Sequence, residues 1–191
     1  KDLKSLNHSI MILIIFELYY YLIKSFNNHN KRKSMIKIKS VDAHCDIPCA
    51  IYDTSAAQYA SLSVIRFLDL IAETEGKTSN SADMAKFVRL IGDKDKHAQI
   101  VKNEIVVIWG DFFKAPQFEQ FPESHELVHS IMMDASKCKQ NLDRQNGLDL
   151  LDKVNRFSEI FWSTKGVEVE TKIAPYAPNL PIVCPVLKTN S

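Results

Sequence analysis

The stretch LDLLDKVNRFSEIF, residues 148–161, decides the fold class. Leu150, Leu151, Val154, Phe157 and Phe161 recur at spacings of three and four, which places them on one face of a helix. The residues between them are mostly charged or polar, so one side suits a core and the other suits water. The same period returns three times on the way back to residue 54. Leu127, Val128, Ile131, Met132, Ala135 and Cys138 mark a helix that opens at Pro122 or Glu123, where proline fits a first turn. Met84, Phe87, Val88 and Ile91, continued by Ala98, Val101, Ile105 and Ile108, mark another from Ser81 to about Trp109. Gly92 and the charged run 93–96 weaken its middle and allow a kink. The run IVVIW (105–109) resembles a strand, but its upstream partners at helical spacing favour the helix. Leu62, Ile65, Leu68 and Ala72 mark the first helix, capped by Asp53 or Thr54 and running to about Glu75. The connections are GKTSNS (76–81), an irregular segment holding Pro116 and Pro122, and QNLDRQNG (140–147). The expected architecture is all-α, an antiparallel four-helix bundle over residues 54–166. Beyond Gly166 the period stops, and residues 167–191, with APYAPNLP at 174–181, read as an extended tail without structure.

Composition limits what such a bundle does. Of 191 residues, 46% are hydrophobic and 25% charged, which fits a globular chain rather than a disordered one. With 24 Lys and Arg against 23 Asp and Glu, the net charge of +1 argues against nucleic-acid or membrane-surface binding. The balance conceals a basic leader: residues 1–43 hold 8 basic and 3 acidic side chains. Within it, IMILIIFELYYYLI (10–23) is apolar but carries Glu17 and is shorter than the roughly 20 residues a spanning helix needs, so a membrane anchor is not expected. No small-residue cleavage site of the secretory kind follows it. Residues 1–34 read either as translated upstream sequence, with Met35 as the start and MIKIKSVDA before His44, or as a targeting segment.

The chemistry lies between leader and bundle, in HCDIPCAIYD, residues 44–53. These ten residues hold an imidazole, two thiols, two carboxylates and a phenol. Pro48 keeps Ile47 extended and disfavours a helix, so the thiols of Cys45 and Cys49 can turn toward one centre. Spacing alone leaves three readings open: two unrelated buried thiols, a local disulfide in an oxidising compartment, or a metal site. A structural zinc site would call for a second pair, whereas Cys138 falls on a helical stripe and Cys184 in the tail.

His44-Cys45-Asp46-Ile47-Pro48-Cys49, followed by Ala50-Ile51-Tyr52-Asp53, resembles the metal hook of nickel superoxide dismutases, whose pattern is HCDxPCGxYDP. Two further blocks resemble the family in the same order: Trp109 to Pro116, running on to His125, and Ile160 to Lys165. The resemblance implies a nickel cofactor cycling between Ni2+ and Ni3+, superoxide as substrate, and dioxygen and hydrogen peroxide as products. It implies cleavage between Ala43 and His44 by a processing protease, so that residues 1–43 are removed. The metal ligands would be the His44 amine, the Cys45 amide nitrogen and the thiolates of Cys45 and Cys49, with the His44 imidazole axial. A free amine and thiolates are donors that suit nickel(II) in a square plane. Tyr52 would restrict the entrance to small anions, Asp46 would support the loop by hydrogen bonds, and Pro48 would follow a cis peptide bond. Asp111 and Lys114 would support the hook, with Lys114 adding positive potential or, more simply, pairing with Asp111. A homohexamer is implied. Reduced thiols and nickel supply fit the cytoplasm, or an organelle if the leader is a targeting segment. The dense aromatic region of Trp109, Phe112, Phe113, Phe118 and Phe121 suits such an assembly or a cap on the core.

Several positions depart from the family pattern. Ala50 stands for Gly, Thr54 for Pro, and Phe112 where many members have Tyr. Ala60 and His97 occupy the places of a Glu and an Arg that support the axial imidazole, and losing such partners costs about ten- to a hundredfold in affinity or activity. The rival reading is therefore a non-enzymatic helical oligomer that captures nickel or copper.

Overall fold

Three of the four long helices of this bundle begin where a side chain takes up an amide that a first turn leaves unpaired. The structure, a computed structural model, describes residues 50–188 apart from Glu75 and Thr78; the leader and the hook through Cys49 lie outside it. Asp53 Oδ1 accepts the Ser55 N–H at 2.7 Å and opens α1, Ser55–Ala72. Asn80 accepts from the Ala82 and Asp83 N–H groups, both at 3.0 Å, and opens α2, Ser81–Val107. A π-helical turn, Ile108–Phe112, extends α2, and a short α3, Ala115–Gln120, follows with Pro116 in its first turn. Then come α4, Ser124–Gln140, and α5, Arg144–Thr164, the latter opened by Asp143 accepting the Gln145 N–H at 2.9 Å.

Packing closes a ring: α1 lies against α2 and α5, and α4 against the same two. The four long helices form the antiparallel bundle that the periodicity predicts. Val64 and Leu68 of α1, Ala98, Val101 and Ile105 of α2, Val128, Ile131 and Ala135 of α4, and Leu150, Val154, Phe157 and Phe161 of α5 share one core. Burying such side chains contributes roughly 1.5–3 kcal/mol each.

The structure corrects the tail. Instead of a structureless segment, Val169–Ile173 (β1) pairs antiparallel with Pro181–Pro185 (β2), Thr171 opposite Val183. The hairpin holds because it has a place to bury itself. Ala174 and Ile182 join Leu62 and Ile65 of α1 and Leu151 of α5 in a second apolar cluster. Gln58 Nε2 donates to Val183 O at 2.9 Å, and Asn155 Nδ2 to Pro181 O at 2.9 Å.

Smaller differences have equally local causes. No break occurs at Gly92, because α2 is continuous and its charged middle is put to use. Lys94 is fully buried and its ammonium pairs with Asp95 at 2.7 Å. It also donates to Cys138 O and Lys139 O, two of the carbonyls that the end of α4 leaves unpaired. Met84 and Val88 have the right period, yet they remain 46% and 59% exposed on the first turns of α2. The segment with Pro116 is helical rather than irregular.

Candidate metal centre

The hook residues His44, Cys45, Asp46, Pro48 and Cys49 lie outside the described residues, so the site is built from the end of the bundle to which they are joined. Ala50 adopts φ 56°, a left-handed turn that glycine would take without strain, and Ile51 is exposed. The chain then enters the aromatic end of the bundle. The Tyr52 ring lies 5.7 Å from that of Phe112, which in turn lies 5.1 Å from Phe161 and 5.6 Å from Phe113. Phe112 is positioned by the π-helical turn, whose extra residue per turn carries the chain out of α2; the Phe113 N–H closes it on Ile108 O at 3.2 Å. Trp109, Phe118 and Phe121 also pack against the main core, so this aromatic region caps the protomer's own bundle.

The supporting residues do not meet as a pair. Asp111 and Lys114 are both exposed and form no ion pair with each other. Lys114 Nζ turns back to Gly110 O at 3.4 Å, while its backbone N–H donates to Gln117 Oε1 at 3.0 Å and so starts α3. A different cation stands at the aromatic end. Lys165 Nζ lies 4.8 Å from the centre of the Phe161 ring, 5.3 Å from Phe112 and 5.8 Å from Trp162. Sequence reasoning passed over it as the last residue of a motif. A lysine one turn below aromatic residues at the end of a helix was the available signal.

The two departures that bear on the imidazole are also placed. Ala60 is buried in the main core. His97 lies with its ring 5.2 Å from Phe67 and its Nδ1 2.8 Å from Asp93 O, an intrahelical contact. Neither offers a carboxylate or guanidinium of its own.

Among the described residues no group of three His, Cys, Asp or Glu side chains could hold a metal. Cys138 is buried, and burial pushes its thiol up to about 11, which keeps it protonated and a poor ligand. Cys184 lies half-buried in β2. Neither of the two cysteines among the described residues therefore belongs to a cluster of metal ligands.

Residues 39–165 match the sequence profile of the family described as nickel-containing superoxide dismutase. The chain belongs to the nickel-containing superoxide dismutase family. The Superoxide dismutase [Ni] of Streptomyces seoulensis is 34% identical over 129 residues, 68% of this chain and 92% of that protein. Its counterpart in Streptomyces coelicolor is 33% identical over 126 residues, 66% of this chain and 91% of that protein. A crystal structure of a nickel-containing superoxide dismutase after partial X-ray-induced reduction superposes with a TM-score of 0.58 at 32% identity, covering 64% of this chain and 99% of that one. Superoxide dismutase is thus the enzyme class, and nickel the family's metal. The family match stops at Lys165, so the β-hairpin is an addition to the nickel superoxide dismutase unit.

Proposed function

We propose that this chain dismutates superoxide at a nickel ion held by its hook, and that it does so only when His44 is the free N-terminus. The observation that carries the reading is the intact HCDIPC segment inside the matched region, beginning eleven residues before the first helix. Peptide-bonded to Ala43, the His44 nitrogen is an amide and donates weakly; freed by cleavage, it is an amine. The amine and imidazole of His44, the amide nitrogen of Cys45 and the thiolates of Cys45 and Cys49 are the donors this sequence supplies. Nickel, when bound, supplies a one-electron couple that thiolate donation lowers into the range where superoxide can both reduce and oxidise it.

The chain's own residues do the rest. Tyr52, braced by Phe112, narrows the approach and presents a hydroxyl that can hold a proton for the developing peroxide. Phe112 offers no second hydroxyl, so that task falls to Tyr52. Asp46 ties the loop by hydrogen bonds, Pro48 shapes it, and Asp111 and Lys114 border it. Assembly as a homohexamer, processing by a protease at Ala43–His44 and residence in the cytoplasm, where thiols stay reduced, complete the proposal. Among the described residues no helix is long and apolar enough to cross a membrane.

Metal stoichiometry tests the ligand set. Protein beginning at His44 should bind one nickel per chain, and Cys138→Ala should leave that unchanged. Cys45→Ser or Cys49→Ser should abolish it. Full nickel retention in either hook variant would refute the assignment.

A further inference from the structure

Superoxide is a monoanion, and its encounter rate depends on the unneutralised cations beside its entry. We infer that Lys165 is the guiding cation of the Tyr52 entrance, an inference that rests on the dismutase reading above. Lys165 caps α5, its N–H donating to Trp162 O at 3.0 Å. This fixes the backbone from which its side chain reaches over the rings of Phe112, Phe161 and Trp162. Ring faces attract an ammonium group through their quadrupole without cancelling its charge. A carboxylate would cancel it, and among the described residues none pairs with Lys165. Asp53, Asp111, Glu159 and Glu168, the acidic residues nearest these rings in sequence, make no ion pair with it: Asp53 accepts the Ser55 N–H and Glu159 pairs with Arg156.

One ring links this cation to the entrance, for Phe112 contacts Tyr52 on one hand and Lys165 on the other. Lys165 Nζ lies 5.3 Å and the Tyr52 ring 5.7 Å from the centre of the Phe112 ring. Over such distances in water a single charge changes local anion concentration about twofold. Lys114, the cation the sequence singles out, instead folds its ammonium toward its own backbone.

Two measurements test this, one of them independent of nickel. In nickel-loaded protein beginning at His44, at about 10 mM ionic strength where the Debye length is roughly 30 Å, Lys165→Gln should lower kcat/KM about twofold. Lys165→Glu should lower it about fourfold and Lys165→Arg should leave it unchanged. The differences should vanish at high salt, and Lys86→Gln, on the first turns of α2 at the other end of the bundle, should have no effect. In metal-free Trp109→Phe protein, Trp162 is the sole tryptophan. There Lys165→Gln should reduce fluorescence quenching by iodide about twofold and leave quenching by neutral acrylamide unchanged. Unaltered iodide quenching, or an unaltered low-salt rate in an active enzyme, would overturn the inference. An inactive parent enzyme would instead refute the dismutase reading, and the iodide comparison would still decide the role of Lys165.

Discussion

Gly147 of α5 faces Ile65 and Leu68 of α1 with no room for a side chain, and replacing it with alanine sets two known effects against each other. An added Cβ would stand 2.8 Å from Ile65 Cγ1, 3.2 Å from Leu68 Cδ1 and 3.6 Å from Ile65 Cα. Ile65 is fully buried and stiff at χ1, with its backbone directly behind it. Relief therefore requires the helices to part. Overpacking of this kind costs about 1–3 kcal/mol, whereas alanine in a helix gains about 1 kcal/mol over glycine. The expected net effect of Gly147→Ala is a loss of about 1 kcal/mol, or roughly 3 °C in Tm for a domain of this size. A double-mutant cycle makes the test sharper. Ile65→Ala removes the clashing atom and alone costs about 2–5 kcal/mol. In that background Gly147→Ala meets no obstacle, keeps the propensity gain and becomes stabilising, with a coupling of about 1–3 kcal/mol. Urea unfolding followed by far-UV circular dichroism measures all four proteins. Additive behaviour, or stabilisation by Gly147→Ala alone, would refute the close-approach argument.

Asp134 should govern part of the acid stability. Burial would raise its pKa, but hydrogen bonds and charge from Lys137 (2.8 Å) and Lys153 outweigh it, so the carboxyl lies below its ordinary value. A lowered pKa contributes stability above the unfolded value, near 4, that is lost as pH falls through the folded one. Asp134→Asn should therefore lower the urea midpoint at pH 7 and flatten its fall below pH 4; an unchanged acid limb would count against the pairing. Lys94→Met keeps the buried stem but strips the donor from Cys138 O and Lys139 O, and should cost about 2–3 kcal/mol in urea unfolding. A neutral outcome would mean those carbonyls have another partner. Ending the chain after Gly166 uncovers Leu62, Ile65 and Leu151 and should raise binding of an apolar fluorescent dye while lowering Tm. An unchanged Tm would show that the hairpin adds nothing to the bundle.

The bundle was legible because its signal is repetition. Leu150, Val154, Phe157 and Phe161 can satisfy a spacing of three and four only by facing one way, and all are buried. Period alone does not tell how far the partner helices extend, which is why Met84 and Val88 stay exposed. Lys94 was illegible for a different reason. A lysine in a charged run reads as solvated, and only the end of α4, which is 44 residues away, supplies the carbonyls that hold its ammonium. The hairpin gave little warning, since β1 carries Glu170 and Lys172 and buries none of its five residues fully. Its partner PIVCP is short, bounded by proline, and acquires an apolar environment only against α1 and α5. Near the hook, Tyr52 was singled out by the family resemblance. Lys165 was missed because its importance lies in which rings converge on it, which is a property of the fold.

The central claim is that His44 must be a free N-terminus, and superoxide-removal kinetics by pulse radiolysis on two nickel-loaded proteins tests it most directly. One protein begins at His44 and the other at Ala43, a difference of a single residue. The account predicts rapid dismutation by the first and none by the second. Equal activity in both, or no activity in fully nickel-loaded protein beginning at His44, would contradict it.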